Sequence, residues 1–185
     1  MQLRRYVLTP RTAAALLAAV LATGCTQQPV AGPPRTVAFN ATDTAWIQLM
    51  IPMDERALRL TALTANRTTD PALTGPATAS ESKLKGELER LRGLLERSGV
   101  PDTRPHEGHN MPGMVTLDTL EKAATSTGEE LGRLFLDGMR AHLTQVRSLC
   151  AGERASGSAD DAKDLAEAVE RSADAQLALL NTTPR

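Results

Sequence analysis

"WIQLMIPMDERA" (residues 46–57) and "FLDGMRAHLTQV" (residues 135–146) carry one pattern twice. An aromatic residue opens each segment, a Met follows one helical turn on, and a Met or His follows a turn later. Trp46 thus aligns with Phe135, Met50 with Met139, and Met53 with His142. Spacings of three and four place all three side chains on one face of a helix. Each segment precedes a second amphipathic stretch, so a two-helix unit used twice is the simplest account. Any two amphipathic helices can be aligned somewhere, but the shared aromatic and donor spacing favours duplication.

Outward from these segments the chain reads as helix throughout. In "NATDTAWIQLMIPMDERALRLTALTAN" (40–66), Asp43 is the expected N-cap, and Trp46, Leu49, Met50, Met53, Ala57 and Leu60 form the apolar stripe. Pro52 is expected to kink this helix and free a carbonyl one turn earlier. "TTDPALTGPA" (68–77) reads as a loop. In "TASESKLKGELERLRGLLERSGVP" (78–101), Thr78 and Glu81 suit a capping box, Leu84, Leu88, Leu91 and Leu95 the stripe, and Gly99 with Pro101 the stop. A short helix is expected near "TLDTLEKAATS" (116–126). A third long helix runs from Gly128, with Leu131, Phe135, Met139, His142, Val146 and Leu149 inside, to a turn at "GERASGSA" (152–159). The fourth, from Asp160, buries Leu165, Val169, Ala173 and either Leu177 or Leu180. No stretch alternates as a strand would, so the expectation is all-α: a bundle of four main helices with a short extra helix between the halves.

The N-terminus is different. Arg4, Arg5 and Arg11 flank a short apolar run from Ala13 to Ala22, and "LATG" precedes Cys25. The run falls short of the roughly 20 residues a bilayer span needs, so residues 1–24 read as a signal peptide. "LATGC" resembles a bacterial lipobox, which would make Cys25 the lipidated first residue of an extracytoplasmic protein held on a membrane. Plain cleavage with an incidental Cys25 is the alternative. Residues 25–38 then form a Pro- and Gly-containing tether, and 39–182 the bundle. With 21 basic and 22 acidic residues in all, and three of the arginines in the leader, no basic face for nucleic acid is implied. The chain has two cysteines. Lipidation of Cys25 would leave Cys150 without a partner, so the core carries the stability.

"MPGMVTLDTLEKAATSTGEELGRLFLDGMRAH" (111–142), with "DTAWIQLMIPM" (43–53) before it, resembles domain-of-unknown-function family 305, DUF305. These are bacterial extracytoplasmic proteins with a ferritin-like helical bundle, and the resemblance spans about residues 39–180. The family pattern in each half is an aromatic, a Met one turn on, and Met-Ile-Pro-His-His or close to it. Trp46, Met50, Ile51 and Pro52 match the first half, and Phe135, Met139 and His142 the second. The remaining family His positions hold Met53, Asp54 and Leu143 here. The family's His pairs imply metal binding, and this chain keeps one of those four His.

The donors support that idea on other grounds. The chain has three His and six Met, one of them the initiator, and they fall in three stretches. Met50 and Met53 lie in the first, His106, His109, Met111 and Met114 in "PHEGHNMPGM" (105–114), and Met139 with His142 in the third. Thioether and imidazole suit Cu(I) better than Mg²⁺ or Ca²⁺. Against this, Met on a helical stripe commonly fills the core, a lone His there is commonly a satisfied buried one, and Cys150 suits a small buried apolar position. The residues three before each His are Thr103, His106 and Met139, so the Glu-x-x-His of a di-iron bundle is absent. Asp43, Asp54 and Glu107 read as cap, surface and loop carboxylates, and no catalytic motif occurs. Two functions are expected: a membrane-anchored, non-enzymatic lipoprotein holding a soft metal ion, or a helical interaction module of the cell envelope without a metal.

Overall fold

The computed structural model describes residues 38–183. The expected signal peptide, Cys25 and the expected tether up to residue 37 lie outside them. Five helices and no strand occur among the described residues: α1 (Ala41–Arg67), α2 (Pro71–Ser98), α3 (Leu117–Thr125), α4 (Gly128–Ser156) and α5 (Asp160–Thr182). None of these helices is long and apolar enough to cross a membrane.

Asn40, not Asp43, caps α1. The Asn40 side-chain oxygen accepts from the N–H groups of Thr42 and Asp43 at 2.8 and 3.0 Å, and the Asp43 carboxylate accepts the Asn40 N–H at 2.5 Å. Asn at the cap with Asp three residues on satisfies two orphan donors reciprocally, which moves the helix start ahead of Asp43. α1 runs through Pro52 as one helix. Proline has no N–H, so the Gln48 carbonyl lacks its helical donor.

The stretch 68–77 is helix from Pro71 onward, where a loop is expected from the sequence. Asp70 caps α2 by accepting the Ala72 N–H at 2.8 Å, with Pro71 just inside the start, its fixed φ already helical. Thr78 and Glu81 therefore lie within α2 rather than at its cap. Burying Leu73 and Ala77 extends the Leu84, Leu88, Leu91 and Leu95 stripe backward by about three turns. At its other end Gly99 closes α2 in the left-handed conformation, φ 68°. α4 continues to Ser156, leaving only residues 157–159 for the turn into α5.

α1 packs on α2 and α4, α5 packs on α4 and α2, and α3 lies across α1 and α4. Trp46, Ile47, Met50, Phe135, Met139, Leu91 and Leu165 belong to the single apolar core these contacts enclose. Gly138 sets the closeness of α1 to α4, since a Cβ there would lie 2.7 Å from Leu60 Cδ2. Leu149 is half-buried and Cys150 fully buried in its place, while Leu180 rather than Leu177 closes the α5 stripe.

Candidate functional site

The connection from α2 to α3 carries the densest group of donors, and the bundle holds it in place. Gln48 donates to the Pro101 carbonyl at 3.4 Å. Arg104, in the left-handed region at φ 48°, pairs with Glu107 in the loop and Glu55 on α1. Arg92 of α2 reaches the same Glu55 at 2.8 Å. Burial opposes the Glu55 charge, but the hydrogen bonds and charges of Arg104 and Arg92 outweigh it and hold its carboxyl below the usual range. Arg56 is buried and donates to the His109 carbonyl at 3.0 Å and to Asn110 Oδ1 at 3.4 Å.

Within the loop, tandem turns follow one another: Glu107 N–H to the Arg104 carbonyl, His109 N–H to the His106 carbonyl, and Met114 N–H to the Met111 carbonyl, at 3.0–3.2 Å. The last is a turn with Pro112 and Gly113 at its centre and Gly113 at φ 73°, the type II arrangement. Gly113 also lies flat on α4, where a Cβ would sit 2.2 Å from Gln145 Cβ and 2.9 Å from the Ala141 carbonyl oxygen. "MPGM" is thus a sequence that both makes the turn and lets it seat on α4.

The eight sequence-expected donors divide. His109 is exposed, His106 and Met111 are half-buried, and Met114 is buried. The His106 and His109 rings lie 6.2 Å apart, edge to face. Met50, Met53 and Met139 are wholly inside, and Met50 and Met139 are part of the continuous core. Met53 and Met114 are buried outside that continuous cluster. Cys150 is likewise buried, and burial pushes its thiol strongly upward.

Asp54 is the residue the sequence misplaces. It is not on the surface but 0 % exposed, with Oδ1 3.5 Å from His142 Nε2, itself 1 % exposed. Neither Asp54 oxygen nor His142 Nδ1 has a hydrogen-bond partner. Burial, then the charges of Glu87 and Glu55, push the Asp54 carboxyl well up, and burial pushes His142 down to about 4. The uncharged form of each is therefore the one the core favours. The internal alignment pairs Asp54 with Leu143, an inward position, which is the signal in the sequence that residue 54 faces the core. Gly113 seats on the turn of α4 that carries His142, and Met114, the next residue, is buried.

A second carboxyl pair lies at the other end of α1. Asp43 is buried and accepts from the backbone N–H groups of Ser158 at 3.0 Å and Ala159 at 3.1 Å, which ties α1 to the α4–α5 turn. Glu153 faces it, 1 % exposed. Burial, followed by the hydrogen bond and charge of Asp43, pushes Glu153 up to about 8. At Asp43 burial is outweighed by the bonds from Glu153, Asn40, Ala159 and Ser158, so its carboxyl is held low. The protonated form of Glu153 is therefore the one its surroundings favour. Nothing in the local sequence signals this pairing, because the partners are joined only by packing.

Among the described residues no three His, Cys, Asp or Glu side chains gather closely enough to hold a metal ion. A metal here would have to draw on Met thioethers, a donor set that fits soft ions and not hard ones.

Two crystal structures share the fold. A DUF305 fragment from Deinococcus radiodurans matches with TM-score 0.70 at 17% identity, over 78% of this chain and 95% of that one. A structure from Streptomyces coelicolor, described as a "putative secreted protein DUF305", matches with TM-score 0.68 at 19% identity, over 75% of this chain and 89% of that one. No curated protein matches the chain. The family model described as domain of unknown function DUF305 matches residues 43–183, most of the chain and all five helices but the first two residues of α1, and the chain therefore belongs to the DUF305 family.

Proposed function

We propose that the protein is an extracytoplasmic, lipid-anchored binding protein rather than an enzyme, and that it takes up a soft monovalent metal ion, Cu(I), where the 105–114 loop meets the Asp54–His142 layer. The observation that carries the reading is the seating of the Met111–Met114 turn on α4 beside His142. The turn carries one buried thioether, Met114, with half-buried His106 and exposed His109 earlier in the same loop. Loop anchoring by Arg56 and Arg104 reduces the order that binding must impose. Export is supported by the leader-like N-terminus and by the description that the Streptomyces coelicolor structure carries.

Cu(I) titration of residues 38–185 against a chromophoric competitor tests the metal. A His106/His109/Met111/Met114 alanine variant should lose at least ten-fold in affinity, and His142→Leu a smaller amount. Equal affinity in wild type and the loop variant removes the metal and leaves the interaction-module reading. Cys25→Ser should release the full chain from membranes, and retention on them would overturn the anchor.

A further inference from the structure

A groove of about 620 Å³ runs between the N-terminal half of α1 and the C-terminal half of α4. Ala45, Trp46 and Leu49 form one side, Leu149 and Glu153 the other, and His106 borders it. Its size is that of a small-molecule site; Thr42, Ser148 and Ser156 add hydroxyls along it, and two lining groups can carry a charge. One is half-buried His106. The other is Glu153, buried to 1 % exposure, and neither of its oxygens receives a hydrogen bond.

The neighbours of Glu153 explain what it lacks. Asp43 from α1 is the group it faces, and that carboxylate is already committed to the backbone of Asn40, Ser158 and Ala159. Lys163 of α5 acts on Glu153 only as a charge at a distance, its own ion pair being with Asp160 at 3.4 Å. Two carboxyl groups thus lie under an apolar groove with no cation in contact. An unmatched buried acceptor of this kind is stabilised by a donor, and most by a charged one.

We propose that this groove binds a small amphiphilic amine, its apolar body on Trp46 and Leu149 and its ammonium group on the Glu153 carboxyl. A metal ion is disfavoured because no third ligand of the right kind stands near the two carboxyls. The site is separate from the proposed Cu(I) layer, with only His106 close to both.

Trp46 is the one tryptophan of the chain and forms part of the groove, so its emission reports occupancy directly. The test titrates the protein with 2-phenylethylammonium, 3-phenylpropanoate and 2-phenylethanol, which share an aromatic body and differ in head group. Saturable change with the ammonium compound, ten-fold or more tighter than with the carboxylate, is expected. Because Glu153 must lose its proton to the solvent to meet the ammonium group, affinity should rise from pH 6 to pH 8.5. Glu153→Gln should bring the amine down to the affinity of the alcohol. Gly152 lines the groove and a Cβ there would have no other atom within 4 Å, so Gly152→Leu should place its side chain in the groove at little cost to the fold and abolish binding. Equal binding of amine and carboxylate, unsaturable quenching, or unchanged binding in Gly152→Leu would each overturn the proposal.

Discussion

Burial and the neighbouring Asp43 push the Glu153 carboxyl up, so its protonation is a stability variable. Its unfolded value is 4.5 and its folded value about 8, so between these the native state binds a proton that the unfolded chain has released. The contribution is complete below pH 4.5 and is lost as pH rises through 8. Glu153→Gln keeps a hydrogen-bond donor for Asp43 and removes the titration. In urea melts at pH 5, 7 and 9, wild type should lose more stability with rising pH than the variant does. Asp54 and Glu87 are also pushed up, but they remain in both chains and cancel in the comparison. His142 was legible as an inward residue because it continues the Phe135–Met139 stripe. Its partner was not, since an Asp directly after Met53 reads as the polar side of a helix until the width of the buried face is known.

At the scale of elements, helix interiors were legible and their ends less so. The Leu stripe of α2 follows from spacing alone. Its start does not, because Gly75 and Pro76 are breakers in isolation and only the packing of Leu73 and Ala77 compensates for them. The 111–114 turn is the element most dependent on a single residue. Gly113→Ala forces a Cβ into Gln145 and into the Ala141 carbonyl, at a φ that L residues rarely adopt. A loss of about 2–3 kcal/mol is expected from overpacking and backbone strain together. Chemical denaturation should show it, and amide exchange should show the loosening concentrated in residues 105–115. Undiminished stability would mean that the turn is not seated on α4.

At the scale of the whole molecule, stability rests on one core with few aromatics. Phe135 is wholly buried and is the largest such side chain. Phe135→Ala should cost about 3–5 kcal/mol, read from the denaturant midpoint, with the denaturant dependence unchanged if the helices stay docked. Trp46 and Phe135, the aromatics that open the two similar segments, both end in the same core.

The sequence by itself determined the all-α class, the presence of a short helix near 116–126, most of the inward stripes and the family, because these depend on spacing along one chain. The tertiary structure decided which carboxylates are buried. Asp54 meets His142 and Asp43 meets Glu153 across helices that are far apart in sequence, and local pattern carries no information about that distance. It likewise decided that the donors of "PHEGHNMPGM" separate. His109 is exposed and His106 half-buried at the edge of the groove, while Met114 turns inward, where Gly113 allows the chain to lie against α4.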